Sequence, residues 1–474
     1  MLSQLSRPLA LAAAAYAALA FGQDLEALFS PYLSSGAEIA ESTEANFSTV
    51  VGPRWSSWEV PNWSGAIKPA TVNDIQEIVR IASANDIPFL ATNGGHGTKA
   101  NLSQFTGIDV NLANFNSVSV DTNNNLLTVG PGVVLGQIST TLLPLGKELR
   151  AIGVTLGGGI GILKGRHGLI IDDLVSVKIV VASGDEVTAS KTENPDLFWA
   201  VRGAGANFGI VTEATYNVHD LTNDGYVVEA NFAYAAAQNR SFWELLQKYE
   251  GSQLPAELSI QAAISYNRTR DEPVIGATLW YLGSESDIQS ILDEFTALEP
   301  TSSSIQTLTQ VEVYYESVTR GVCNRGGLIS AYTLGLGQID PASFEAHFED
   351  LVTFYQANTN YYGLSFFQIY SNEATSQTPV WETAFPWRDV QTWWLLQNVY
   401  VDDSQETTIE EFSREQRTNL QATSGFDTPH VYLGYAHGDE GPAAWFSEDH
   451  LQALRALKAL WDPTNIFGVG ADLF

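Results

Sequence analysis

Hydrophobic positions in the first half of the chain alternate with glycine clusters, a pattern typical of mixed helix and sheet. Apolar residues recur at helical spacing behind Thr71, which predicts a helix that Thr71 caps. Short Val/Ile/Leu runs predict strands at residues 88–91, 126–129 and 177–182. The pattern ends near Leu221 and predicts one α+β domain.

A second pattern, from about residue 226 to residue 426, alternates strands with amphipathic helices. It includes a predicted strand at residues 364–370 and a predicted helix at 287–298, with Ser286 as N-cap. One more strand is predicted at residues 431–436. The change of pattern near residue 221 predicts a second domain.

Composition supports two folded domains and excludes several classes of function. The chain has 474 residues, of which 45% are hydrophobic and 11% aromatic, enough to bury a large core and to exclude disorder. Acidic residues number 54 against 23 Lys plus Arg, and the formal net charge of -31 repels nucleic-acid phosphates and anionic membranes. We therefore expect a soluble protein that binds neither nucleic acid nor membrane.

The first twenty residues are typical of a secretory signal. Arg7 supplies the positive start, residues 8–21 are apolar but too short to span a bilayer, and Ala18-Leu19-Ala20 provides a cleavage site. Five Asn-x-Ser/Thr sequons agree with export. They begin at Asn46, Asn62, Asn101, Asn239 and Asn267. A secreted, glycosylated protein is therefore expected, with its signal at residues 1–20.

Cysteine and histidine usage argues against disulfides and metal sites. Cys323 is the only cysteine, so we expect neither an internal disulfide nor a Cys/His zinc site. None of the seven histidines stands in an HxH or HExxH spacing. No metal is therefore expected.

Three glycine clusters carry the candidate chemistry, at residues 93–97 (NGGHG), 156–161 (LGGGIG) and 202–209 (RGAGANFG). Glycines let a backbone approach a ligand closely and present N–H groups to an anion, although for any single cluster tight turns are the better interpretation. Together the clusters favour a pyrophosphate-bearing cofactor held by the backbone. His96 lies in the first cluster, either hydrogen-bonded to its turn or exposed to a ligand as nucleophile or base.

In this order, the motifs resemble the flavin-binding domain of the vanillyl-alcohol-oxidase superfamily, and within it the berberine-bridge-enzyme-like oxidases of the secreted fungal group. The resemblance also rests on residues 129–132 (VGPG), 194–199 (NPDLFW) and 435–440 (YAHGDE). It implies an α+β fold with two lobes: a PCMH-type FAD-binding domain, and a substrate domain with an antiparallel sheet covered by helices. The implied bounds are a helical lead-in at 21–57, the FAD-binding domain at 58–222, the substrate domain at 223–428 and a C-terminal segment at 429–474 that returns to the flavin site.

The resemblance implies roles for individual residues. His96 occupies the place of the histidine that bonds to the 8α carbon of FAD. Tyr435 falls on a tyrosine that acts as base beside the flavin. A free tyrosine has a pKa of about 10, so this role needs help from positive charge or hydrogen bonds. The other implied cofactor-binding residues are Asn93, Gly94, Gly95, Gly97, Gly157, Gly158, Gly159, Gly205, Asn207, Gly209, Ile210 and Val211.

Three positions depart from the family pattern. The connection from Gly146 to Leu156 is short and lacks the cysteine that forms a second flavin bond in some members, so FAD is expected to be attached through His96 alone. Gly434 stands where the family usually has Asn between two tyrosines. Thr92 replaces a basic residue often found shortly before the histidine motif.

Three hypotheses about function follow. The leading one is a secreted FAD-dependent oxidase that takes a hydride from an alcohol or amine carbon of a small molecule or secondary metabolite, while Tyr435 or a neighbour takes the proton. Its electrons then pass to O2 and give hydrogen peroxide. The second is a flavin-bearing cyclase without net redox chemistry. The third is a secreted glycoprotein whose short connection has abolished cofactor binding, and a longer transcript with a cysteine before Leu156 would contradict it. Residues 361–368 and Trp393-Trp394 are candidates for the substrate wall.

Overall fold

The computed structural model describes residues 24–149, 152–319, 325–469 and 472–474. The predicted signal at residues 1–20 and Cys323 lie outside these ranges. The described helices are α1 Leu25–Phe29, α2 Phe47–Val50, α3 Val72–Ala84, α4 Leu135–Leu142, α5 Lys164–His167, α6 Ile170–Asp173, α7 Pro195–Ala204, α8 Asn239–Gln247, α9 Glu285–Thr296, α10 Gln310–Thr319, α11 Pro341–Ala357, α12 Glu406–Gln421, α13 Pro442–Phe446 and α14 Glu448–Trp461.

The described strands form sheets of four, five, two and seven strands. Their bounds are β1 Glu38–Glu41, β2 Asn62–Lys68, β3 Phe89–Thr92, β4 Thr106–Asn111, β5 Val118–Asp121, β6 Leu126–Val129, β7 Lys147–Glu148, β8 Leu174–Val180, β9 Glu186–Ser190, β10 Ile210–Asn217, β11 His219–Asp220, β12 Tyr226–Tyr234, β13 Leu258–Asn267, β14 Glu272–Tyr281, β15 Ser302–Thr309, β16 Leu328–Leu336, β17 Leu364–Tyr370 and β18 Thr392–Tyr400.

Two sheets build the first lobe, in the orders β1-β2-β4-β3 and β5-β6-β10-β8-β9. Helix α3 begins where the sequence predicts, because Thr71 and Asp74 form a reciprocal capping box (Thr71 Oγ1 accepts from Asp74 N at 3.2 Å). Its apolar face then packs in one core cluster with Phe89 of β3. This packing fixes the end of β3, where the first glycine cluster starts.

One antiparallel sheet builds the second lobe, in the order β15-β12-β14-β13-β17-β18-β16. Alternate strand residues such as Ile260 and Phe367 are buried on one face, in a core shared with helices α8, α9, α11 and α12. The residues between them face the first lobe: Ser259 donates a hydrogen bond to the Ile162 carbonyl (3.0 Å). The expected α+β architecture, with helices covering an antiparallel sheet, is confirmed.

Two predictions at the ends of elements are wrong. Helix α9 begins at Glu285 with Ser284 as N-cap, not Ser286, because the Ser284 backbone pairs with the Asp287 carboxylate (3.3 Å). Residues 431–436 form a turn instead of a strand. There Tyr435 N donates to the Tyr432 carbonyl (2.9 Å), so a local bond replaces the ladder that a strand would need.

The five predicted glycosylation sites differ in exposure. Asn46, Asn62 and Asn101 are exposed, and Asn267 is half-buried. Asn239 is only 6% exposed; its amide donates to the Glu345 carbonyl (3.3 Å) and accepts from the Trp243 indole (2.8 Å). A glycan on Asn239 would have to displace these contacts, and Asn239 is the most buried of the five predicted sites.

None of the described helices combines the length and the apolar character that crossing a bilayer requires.

Candidate functional site

The first glycine cluster forms a pinned loop after β3. Trp55 N donates to the Gly95 carbonyl (2.9 Å), and the Asn93 amide donates to the Pro131 carbonyl. Gly95 has φ +69°, and a Cβ there would lie 1.7 Å from the Pro53 carbonyl oxygen. Only glycine fits this position, so the loop conformation depends directly on the Gly-Gly-His-Gly sequence.

His96 lies exposed on this loop, with its ring stacked on Trp55 (centroids 5.4 Å apart, interplanar angle 29°). Among the described residues, its ring nitrogens have no hydrogen-bond partner, so His96 is not committed to the turn. Loss of water at the ring lowers the pKa of His96, and the positive charges of Arg325 and Arg54 lower it further. The imidazole is therefore accessible and takes up a proton less readily than that of an ordinary histidine.

A cavity of about 320 Å³ opens between the two sheets of the first lobe, beside this loop. Its wall is formed mostly by glycine and apolar residues, many of them from the end of β3, the turn after β6 and the start of β10. Four predicted cofactor-binding residues line it: Asn93, Gly209, Ile210 and Val211. The other lining residues include Thr92, Gly130, Pro131, Thr155, Leu156, Val177, Ala206, Tyr216 and Phe467.

The remaining predicted glycines divide into open and packed positions. A Cβ at Gly97 would meet nothing within 4 Å, and one at Gly157 nothing nearer than 3.7 Å. At Gly159 a Cβ would lie 1.7 Å from Ile170, at Gly158 2.7 Å from Phe385, and at Gly205 2.7 Å from Leu156. The last three are thus required by protein packing, and they do not line the cavity.

A buried polar atom lies next to the cavity wall. Asn207 is 1% exposed, and its backbone carbonyl accepts from the Lys458 ammonium (2.7 Å). Its side-chain Oδ1 has no hydrogen-bond partner among the described residues, although Ala206 beside it lines the cavity. A buried polar atom without a partner is costly, so Asn207 fits a site completed by a polar ligand.

The C-terminal turn brings two tyrosines to the second glycine cluster. The Tyr432 hydroxyl accepts from Gly159 N (3.3 Å), and its ring meets the ring of Tyr435 edge-on (4.9 Å, 88°). Gly434 between them is forced by this geometry, because a Cβ there would lie 2.8 Å from the Tyr432 ring. The departure from the family's Asn at this position follows from the position of Tyr432.

Tyr435 is surrounded by other rings rather than by charge. Burial raises its pKa, and a hydrogen bond with the Gln368 side chain opposes that rise only in part. Burial also raises the pKa of its neighbours Tyr370 and Tyr432. Tyr435 therefore rests as a neutral phenol, and the help that the base role needs is limited to the hydrogen bond with Gln368.

The sheet face beside Tyr435 carries a row of hydrogen-bonding side chains that sequence reasoning missed. Cross-strand pairs place four of these side chains on one face: Asn231 lies opposite Thr278, Thr278 opposite Gln261, and Gln261 opposite Gln368. Glu229 shares that face, because it lies two residues before Asn231 on β12. We call Glu229, Asn231, Thr278, Gln261 and Gln368 the polar row. It spans four neighbouring strands, from β12 to β17.

Hydrogen bonds connect the members of the polar row in two groups, Glu229 with Asn231 and Thr278, and Gln261 with Gln368. Asn231 donates to Glu229 and accepts from Thr278 (both 2.8 Å), and Gln368 donates to Gln261 (3.3 Å). Glu229 is 1% exposed and also accepts from the Trp280 indole at 2.9 Å. Gln368 Oε1 is buried without a hydrogen-bond partner among the described residues. The row is thus anchored at Glu229 and has unused hydrogen-bonding capacity at Gln368, next to Tyr435.

The predicted aromatic wall is mostly core. Tyr361, Phe367 and Trp394 are buried on the helix side of the sheet. Trp393 lies on the opposite face, near the Tyr432 ring (5.7 Å). Of this aromatic set, Trp393 therefore stands closest to the candidate site, together with Gln368 of the same stretch.

A second polar cluster lies at the start of the short connection that lacks cysteine. The Glu148 carboxylate is 2.7 Å from His167 Nε2 and accepts from Thr222 Oγ1 (2.7 Å) and Gln310 Nε2 (2.5 Å). His167 stacks in turn on His219 (3.8 Å, 11°). These bonds join the first lobe to the second where the connection begins.

The family and the relatives that this chain resembles are named after FAD. The family described as FAD binding domain matches residues 63–190. The FAD-linked oxidoreductase afoF of Emericella nidulans is 43% identical over 469 residues, which is 96% of this chain and 97% of that protein. The FAD-linked oxidoreductase tazG of Aspergillus terreus is 39% identical and covers 95% of each chain.

Solved structures share the fold at lower identity. BBE-like 1 of Physcomitrella patens has a TM-score of 0.82 at 23% identity, over 95% of this chain and 100% of that one. The xylooligosaccharide oxidase from Myceliophthora thermophila has a TM-score of 0.80 at 22% identity, over 95% and 99%. These similarities establish the two-lobed fold over nearly the full length.

Proposed function

Because the chain belongs to the FAD-linked oxidoreductases of the berberine-bridge-enzyme-like superfamily, we propose that it is an oxidase of small molecules. In this proposal it takes a hydride from an alcohol or amine carbon and passes the electrons to O2, giving hydrogen peroxide. The observation that supports it best is the cavity between the two sheets, which four predicted cofactor-binding residues line beside the accessible His96.

The residues present fit FAD. The cavity wall, with its glycines and apolar residues, suits the dinucleotide part, and the unpartnered Asn207 Oδ1 beside it offers an acceptor. When bound, the flavin supplies the two-electron acceptor for the hydride. His96 would hold the ring through one covalent bond at the 8α carbon, because the connection before Leu156 contains no cysteine for a second bond.

Tyr435 has a narrower role in this proposal than the resemblance implied. As a neutral phenol it donates a hydrogen bond to the reacting hydroxyl or amine and orients it, while Gln368 steadies the phenol oxygen. Accepting a proton requires positive charge or hydrogen bonds that favour the phenolate, and the hydrogen bond with Gln368 offsets the effect of burial only in part. We therefore assign Tyr435 the role of orienting the substrate. Tyr435 could act as a base only if the bound ligands added charge that favours the phenolate.

The polar row supports a substrate rich in hydrogen-bonding groups. Half-buried Gln261 and Gln368 face the first lobe beside Tyr435, and Gln368 Oε1 has capacity for one more donor. An apolar ligand would leave the buried Gln368 Oε1 without a hydrogen-bond donor, and an unpaired buried polar atom costs free energy. A hydroxylated or amine-bearing small molecule supplies that donor.

The test begins with the purified full chain. It should be yellow, and acid precipitation should leave flavin on the peptide that contains His96. His96→Ala should bind flavin that acid releases, and Tyr435→Phe should keep the covalent flavin but lower kcat about 100-fold with the best alcohol or amine. Colourless protein that FAD does not reconstitute contradicts the proposal. Product formed without oxygen uptake favours the cyclase instead.

We also propose that the protein is exported and glycosylated at the exposed sequons. The apolar start of residues 1–20 and the exposed Asn46, Asn62 and Asn101 support this. Endoglycosidase treatment of protein collected from a fungal culture medium should lower its apparent mass. Retention of the full-length chain inside the cells would contradict export.

A further inference from the structure

We propose that Arg54 and Arg325 are positioning residues for the attachment of flavin to His96: they hold the Gly-Gly-His-Gly loop from two sides and keep its imidazole free of a proton. This rests on the proposed function, since it presumes that His96 receives FAD. It goes beyond it by assigning attachment to two arginines that lie outside the glycine clusters.

Arg54 lies in the segment before β2 and contacts the C-terminal end of the loop. Its Nη2 donates to the Gly97 carbonyl, directly after His96. The resemblance places a basic residue shortly before the histidine motif, but here Thr92 stands there and donates to the buried Asp109 carboxylate (2.6 Å). Burial raises the pKa of Asp109 to about 6, and its carboxylate also accepts from Gly52 N (2.5 Å) and interacts with the charge of Arg54. Arg54 thus supplies the loop with a positive charge that the family often places shortly before the histidine motif.

Arg325 reaches the same loop from the second lobe. Its Nη2 donates to the Gly94 carbonyl (3.2 Å), two residues before His96. Its neighbour Gly326 donates through its N–H to the Trp55 carbonyl (3.1 Å). The segments that carry the two arginines are therefore hydrogen-bonded to each other, and they bracket the loop between Gly94 and Gly97.

The charges that face His96 have one sign. Water lost at the ring lowers its pKa first, and the guanidinium groups of Arg325 and Arg54 then lower it in the same direction. Trp55 covers the remaining ring face without charge. The exposed His96 thus stays neutral at pH values where an ordinary histidine begins to take up a proton.

Neutrality matters because attachment consumes the ring nitrogen's lone pair. The step breaks one C–H bond of the flavin 8α methyl group and the imidazole N–H bond, and it forms a C–N bond. Two protons leave, and two electrons pass through the flavin to O2, which becomes hydrogen peroxide. A protonated imidazole has no lone pair to donate, so the rate follows the neutral fraction of His96.

The experiment measures attachment itself. Full-length protein from a riboflavin-starved host is mixed with FAD at about pH 5.5 and about pH 8.5, and acid-stable flavin fluorescence is followed in gels. Without one arginine, the pKa of His96 should rise, so R54Q or R325Q should attach flavin several-fold more slowly than wild type at the lower pH. At the higher pH the rates should agree with wild type within about twofold.

Conservative and distant variants separate charge from structure. R54K and R325K keep the charge and should restore attachment at the lower pH. R166Q removes an arginine that pairs with Glu257 (2.9 Å) away from the loop, and it should match wild type at both pH values. Slowing that is equal at both pH values and is not rescued by lysine overturns the inference, as does unchanged attachment in both glutamine variants. Wild type that attaches no flavin at any pH contradicts covalent binding in the proposed function, and this inference fails with it.

Discussion

The cavity of the first lobe and the polar row are built in opposite ways. The cavity is lined mainly by glycine and apolar residues, and beside it the glycine loop is shaped by turns such as the one at Gly95. The polar row consists of side chains on a regular sheet, joined by hydrogen bonds into two groups, one of which ends on Glu229. One region therefore fixes a ligand by the position of the main chain, and the other by the identity of side chains.

This difference predicts how each region tolerates change. A backbone-built cavity needs glycine where φ is positive or where another chain segment lies within contact distance. A side-chain row needs each donor matched with an acceptor, but it leaves the backbone free of special requirements. Substitutions in the cavity should therefore damage folding and cofactor binding together, whereas those at the free end of the row should change substrate binding alone.

The largest effect is expected for Gly95→Ala. The added Cβ would overlap the Pro53 carbonyl oxygen at 1.7 Å, on a backbone with φ +69°. The loop must shift, so we expect a loss of about 3 kcal/mol or more in unfolding free energy, and no acid-stable flavin. Thermal denaturation measures the loss of stability, and flavin fluorescence in gels measures the loss of attached flavin.

Gly97→Ala is the matched control two residues away. A Cβ there meets nothing within 4 Å, so stability should change by less than about 1 kcal/mol and flavin should stay attached. If the two variants behave alike, the loop is not shaped by its glycines and the contrast between the regions fails.

A smaller loss is expected for Glu229→Gln at the buried end of the polar row. The carboxylate accepts from Asn231 and from the Trp280 indole, and a glutamine replaces one acceptor oxygen with a second donor. Leaving a buried donor unpaired should cost about 2 kcal/mol in denaturant unfolding, with flavin still attached. The exposed Thr307→Ala on β15 should change stability by less than about 0.5 kcal/mol. Loss of flavin in Glu229→Gln would show that the two regions are not separable.

The same contrast explains what the sequence could reveal. His96, Gly95 and the cavity residues 209–211 lie in or directly after the glycine clusters. A site formed by a loop uses consecutive residues, so a motif in the sequence can reveal it. Gln261 and Gln368 are more than a hundred positions apart, and only the strand register brings them opposite each other. Neither periodicity nor composition contains this pairing.

Local competition accounts for the wrong predictions. Three residues after Ser284 stands Asp287 and three residues after Ser286 stands Gln289, and both residue types suit a capping box; only the bond from Ser284 N to Asp287 decides which serine caps the helix. Residues 431–436 look like one more strand until the bond from Tyr435 N to the Tyr432 carbonyl closes a turn. Arg325 illustrates the limit for the site, since nothing near it in the sequence indicates that it touches the loop of His96.

The smallest effect, and the most specific one, is expected for Gln261→Leu at the open end of the polar row. Gln261 is half-buried and accepts from the Gln368 amide (3.3 Å), which in turn is bonded to Tyr435. Leucine keeps the volume but removes the acceptor, so Gln368 loses one fixed contact and the substrate loses a hydrogen-bonding neighbour. We expect kcat/KM to fall about tenfold, mostly through KM, with stability and flavin content unchanged. Ser265→Ala, on the same strand and face but four residues away, should leave kcat/KM within about twofold of wild type. Equal losses in both variants would mean that the face acts only by its packing, and an unchanged KM in Gln261→Leu would remove the polar row from substrate binding.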